Sequence, residues 1–150
     1  MRKLLPRIRE LIAEHPEPGA GMQAVVKLLR AEVAHNNWVG IYLVQGDKLI
    51  LGPWDGPKAT GHVSIDIGQG ICGLAARKKE TVVVDDVHAQ DEYLACFPET
   101  KSEIVVPMMR GEECVGEIDI DSDTPSAFTA TDREFLEDVA RLLVAAYFAL

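Results

Sequence analysis

The run SEIVVPMMRGEECVGEIDIDS, residues 102–122, reads as two β-strands folded back on one another. Residues 102–109 alternate and carry the β-branched Ile104, Val105 and Val106, which suit a pleated, buried surface. Arg110, Gly111 and Glu112 supply a turn, and residues 114–122 return. In the return strand Glu117, Asp119 and Asp121 stand two residues apart, so their carboxylates share one face while Ile118 and Ile120 take the other. Such a row is either a solvated outer face or a set of like charges that needs a cation, an ammonium group or a helix end opposite it. Glu103 can join it from the preceding strand. Pattern alone leaves both readings open.

Working outward, residues 94–107 (LACFPETKSEIVVP) set Cys96 in an irregular acidic segment just before the first of these strands. A buried structural thiol and a reactive one both fit that position. Residues 81–85 (TVVVD) are predicted as a strand, preceded by a short helix that opens after Gly68, Gln69 and Gly70 and contains Cys72. A thiol in the first turn of a helix, if exposed to the positive end of the backbone dipole, is acidified, so a lowered pKa is expected for Cys72. The glycines here are not a dinucleotide fingerprint, because no βαβ repeat follows.

Residues 62–67 alternate as a further strand, and the glycine- and proline-rich residues 52–61 are predicted to be a loop. Residues 38–44 and 48–51 form a hairpin around Gln45, Gly46 and Asp47. On its first strand Trp38, Gly40 and Tyr42 share a face, either as a pocket wall or as a packed sheet surface. Helical spacing predicts amphipathic helices over residues 2–15 and 22–33, and a long one over 131–150 with Thr131 and Glu134 as a capping box. The sum is one α+β domain over residues 1–150. It has about six strands in a largely antiparallel sheet, helices on one face and a ligand pocket on the other.

Bulk properties narrow the function classes. At 150 residues, with 47% hydrophobic and 26% charged positions, the chain can build a core unaided. No apolar run approaches the roughly 18 residues of a membrane span, and no signal peptide is visible, so a cytoplasmic protein without a membrane partner is expected. Three cysteines with no CxxC pair argue against a disulfide framework or a zinc site; no metal or cofactor is expected. A net charge of -9 opposes binding to nucleic acid.

Taken in order, NWVGIYL, LGPWDG, GQGICGLAA, VVDDVHA, the run from Ala95 through Pro107, and GEIDIDS resemble the GAF-domain family of free methionine-R-sulfoxide reductases. The resemblance implies a dimeric cytoplasmic enzyme that reduces free methionine-R-sulfoxide and is recycled by thioredoxin. By motif, it implies Cys96 as nucleophile and Cys72 as a second redox cysteine. It implies Glu103, Asp119 and Asp121 as acidic pocket residues and Trp38 as the pocket aromatic, with Tyr42 beside it. One departure stands out: where the family carries a further resolving cysteine, this chain reads GPKATGH and places His62. Either Cys72 resolves, or an external thiol does, or the pocket persists without the reaction as a small-molecule sensor.

Overall fold

A computed structural model describes residues 1–89 and 97–149. Its centre is a six-stranded antiparallel sheet built from β1 (Trp38–Gln45), β2 (Lys48–Asp55), β3 (Ser64–Asp66), β4 (Val82–Val84), β5 (Ser102–Arg110) and β6 (Glu113–Ser122), in the order β3-β2-β1-β6-β5-β4. The β5–β6 hairpin predicted from the alternating run is present and pairs Glu103 with Asp121 and Val105 with Asp119. β6 also pairs with β1, setting Gly40 opposite Asp119 and Trp38 opposite Asp121. The acid row therefore lies at the middle of the sheet, flanked by strands on both sides.

Helices α1 (Leu5–Glu14), α2 (Pro18–Glu32) and α4 (Ala130–Tyr147) cover one face, where Ile8, Val25, Leu29, Phe135, Val139 and Leu143 pack on Val39, Ile41, Ile104, Ile118 and Ile120. The remaining helix, α3 (Gly70–Lys78), lies against the opposite face. Its Ile71, Cys72, Ala75 and Ala76 join Trp38, Tyr42, Leu49 and Val105 in a second, smaller core. The architecture is the expected α+β one, with the added feature that a helix roofs the face reserved for the pocket.

Local chemistry explains where the boundaries differ from those expected. Helix α2 starts at Pro18 because the Glu17 carboxylate caps it, accepting from the N–H groups of Gly19 and Ala20 at 3.0 and 2.6 Å. The capping box of α4 is Thr129 with Asp132, two residues before the predicted pair. Strand β2 runs on through Gly52, Pro53 and Trp54 to Asp55, where a loop was expected; pairing with β1 continues across a register shift between Gly40 and Tyr42. The sharp turn into α3 uses Gly68 and Gly70 at φ +100° and +67°, a conformation that costs a side-chain-bearing residue energy.

Candidate active site

Every second residue of β6 turns towards α3, and the acid row on that face is closed to solvent. Glu117 is wholly buried, and Asp119 and Asp121 are each 4% exposed. Of the two readings of the row, the solvated face is excluded. Glu103 of β5, 6% exposed, completes a cluster of four buried carboxyl groups. The row spans two connected environments along the strand.

The outer one is a cavity of about 230 Å³ walled by Trp38, Phe97, Pro57 and Lys58, with Asp121 at its base. Trp38 defines it. Its indole folds back over Gly40, where even a methyl group would sit 2.3 Å from the ring, and lies against Gly56, where one would sit 2.2 Å away. Both positions must therefore be glycine for the ring to lie flat. Trp54 stacks on Trp38 at 6.2 Å between centroids and Phe97 leans on it at 6.0 Å, so three aromatics form one wall. The Trp38 Nε1 donor and the Asp121 Oδ1 acceptor are buried with no hydrogen-bond partner among the described residues. Unsatisfied groups of this kind cost about 1–3 kcal/mol each and are expected where a ligand supplies the partner.

The inner environment is a niche of about 10 Å³ bordered by Cys72, His62, Tyr42, Glu103 and Asp119. Tyr42 forms its side rather than its mouth: the ring is 1% exposed, and the hydroxyl donates to the His62 carbonyl at 2.7 Å. Glu117 lies deeper along the row, with no close hydrogen-bond partner for either oxygen among the described residues, and Cys72 is near enough to offset its pKa rise in part.

Electrostatics follows from this burial. Desolvation, then repulsion from Asp119, raises the Glu117 pKa well above the usual carboxyl range. Asp121 is raised for the same two reasons, against a lowering contribution from Glu103. Asp119 is raised by desolvation and held back by hydrogen bonds from Glu103 and Cys72. The expectation for Cys72 is overturned. Burial, followed by Asp119, Glu117 and Glu103, pushes its thiol pKa well up, so the helix dipole is outweighed and Cys72 is a protonated thiol at neutral pH. Cys114, the other described free thiol, is pushed up to about 11 by burial and by Glu117.

Of the residues singled out in the sequence, the fold thus brings together Trp38, Tyr42, Cys72, Glu103, Asp119 and Asp121. Cys96 lies outside the described residues. Sequence reasoning missed Phe97, Gly56 and Lys58 as pocket walls and Glu117 as a buried member of the row. Only Glu117 left a signal, its register with the two aspartates.

The sequence profile of the GAF domain matches residues 18–147. This chain is a GAF domain. It belongs with the free methionine-R-sulfoxide reductases of that family. The Saccharomyces cerevisiae protein of that name is 44% identical over 111 residues, covering 71% of this chain and 61% of the yeast protein. The chain therefore spans under two thirds of that relative's length. The structure of the free methionine-R-sulfoxide reductase of Neisseria meningitidis, in complex with its substrate, superposes on this GAF domain with a TM-score of 0.91 at 36% identity, covering 98% of this chain and 87% of that one. A GAF protein of Burkholderia vietnamiensis described as a putative sensor superposes equally well, with a TM-score of 0.91 at 33% identity over 97% and 92% of the two chains.

Proposed function

We propose that this GAF domain reduces free methionine-R-sulfoxide to methionine. The observation that carries the reading is a cavity lined by Trp38, Phe97 and Asp121, in which Trp38 and Asp121 each have a buried polar atom with no hydrogen-bond partner among the described residues. A zwitterionic amino acid with a thioether-like end offers the complement: an ammonium group for the acids, an oxygen for the indole N–H, and a methyl group for the aromatic faces. The cavity, at about 230 Å³, suits a small metabolite better than a peptide.

The chemistry assigns one role to each group. The Cys96 thiolate attacks the sulfoxide sulfur, and the oxygen passes to the cysteine as a sulfenic acid while methionine leaves. A proton must reach the oxygen as this happens, and Asp121 and Asp119, whose pKa values burial raises above the usual carboxyl range, are the acids to supply it. The ammonium group of the substrate offsets the charge of whichever acid ionises. The Cys72 thiol then attacks the sulfenic sulfur, its proton leaves with the hydroxyl as water, and a Cys72–Cys96 disulfide remains. Thioredoxin, a dithiol, reduces it. Because Cys72 is a poorly ionised thiol, resolution is the slow step of this scheme. We place the reaction in the cytoplasm and in a homodimer, with no cofactor. Among the described residues no helix is long and apolar enough to cross a membrane.

The test is Cys96→Ser. Reduction of free methionine sulfoxide is expected to vanish while the thermal transition is retained; undiminished turnover would remove Cys96 from the mechanism. A second reading is a non-catalytic sensor, favoured by His62 in place of the family's further cysteine. It requires the ligand to bind without forming methionine.

A further inference from the structure

The inner niche has a property that reduction of a sulfoxide does not use. The Cys72 sulfur and one oxygen each from Glu103 and Asp119 lie within 4.8 Å of one another, and all three residues are buried. All three border a niche of about 10 Å³, close to the volume of a single water-sized sphere and so of a size for one ion. Asp119 borders the niche, is only 4% exposed, and has in Oδ1 a buried oxygen with no hydrogen-bond partner among the described residues. His62 borders the same space. The donors come from α3, β5 and β6, rigid elements that hold their spacing without a ligand.

We propose that Cys72, Glu103 and Asp119 form a mononuclear site for a divalent transition ion of the zinc class, with the fourth position left to solvent. The donor set decides the ion. A thiolate disfavours magnesium and calcium, which take oxygen ligands. One sulfur and two carboxylates, with an open fourth position, instead suit zinc or cobalt in tetrahedral coordination. Binding displaces the Cys72 proton to solvent and forms a sulfur–metal bond, and the dication neutralises carboxylates that otherwise crowd one another. The sequence hides this site, because its ligands are spread over residues 72–119 with no metal-binding spacing. It rests on the reductase reading only for its consequence: a metal on Cys72 withholds the resolving thiol, so the loaded protein is a stalled reductase.

The experiment titrates the reduced full chain with cobalt(II) alone and follows thiolate-to-cobalt charge-transfer absorption, a readout that needs no turnover. One cobalt per chain, with a charge-transfer band that zinc(II) bleaches, is expected. Cys72→Ser should abolish the band, and Asp119→Asn should weaken binding at least tenfold with the band retained at saturation. Cys114→Ser should change neither. Circular dichroism establishes that each variant is folded. A band that survives Cys72→Ser, or that disappears instead with Cys96→Ser or Cys114→Ser, would overturn the assignment. So would cobalt binding without a thiolate band, or no binding at all. Failure of the reductase reading would leave these spectra unchanged.

Discussion

The two faces of the sheet are hidden from water to the same degree and hold opposite chemistry. Val39, Ile41, Ile104, Ile118 and Ile120 meet three helices and bring no polar side-chain atom with them. Trp38, Tyr42, Glu103, Glu117, Asp119 and Asp121 meet α3 and the residues around Gly56, and bury four carboxyl groups. Burial of the first set stabilises the fold, about 1.5–3 kcal/mol for each large side chain. Burial of the second costs energy wherever an oxygen or N–H finds no partner, as for Asp119, Asp121, Glu117 and Trp38 among the described residues. A face that a fold maintains against its own stability is best explained by what it binds.

This contrast can be broken from either side. The largest effect is expected from Asp119→Asn, which should lower kcat/KM for free methionine-R-sulfoxide by about 10²–10⁴, the usual contribution of a positioned acid, without loss of stability at pH 8. Steady-state kinetics beside urea unfolding checks both halves. Unaltered kinetics would make the acid face merely structural. Next comes Ile120→Ala, one residue along the same strand but on the helix-packed face. It should cost about 2–5 kcal/mol in urea unfolding and leave the activity per folded molecule unchanged.

The smallest effect sharpens the contrast through pH. Glu117 has a folded-state pKa above its unfolded value, so between the two the folded chain binds more protons and stability falls as pH rises. Glu117→Gln removes that dependence, at most about 1.4 kcal/mol per pH unit. The variant should therefore gain on the native protein as pH goes from 5 to 8 in urea midpoints. A constant difference across that range would mean that Glu117 titrates normally.

Much of this arrangement was legible in the chain. Period-two alternation in residues 114–122 separates Ile118 and Ile120 from Glu117, Asp119 and Asp121, and the structure places them on those two faces. The fate of the acid face was not legible, because alternating carboxylates look the same whether water or a helix lies above them. What buries them is α3 and the Gly56 region, distant in sequence. The same long-range packing reverses the Cys72 expectation: a local dipole argument favours the thiolate, whereas three carboxyls from β5 and β6 and full burial oppose it. Strand β2 beyond Leu51 was obscured by Gly52 and Pro53, which look like loop residues until β1 is there to pair with them.

The central claim, that the acid face exists to reduce a small sulfoxide, is tested most directly by a single turnover. Fully reduced protein is mixed with free methionine-R-sulfoxide, methionine is quantified, and free thiols are counted before and after. The account expects one methionine per chain with the loss of two thiols. No methionine from a folded, fully reduced sample would contradict it and leave a binding pocket without the reaction.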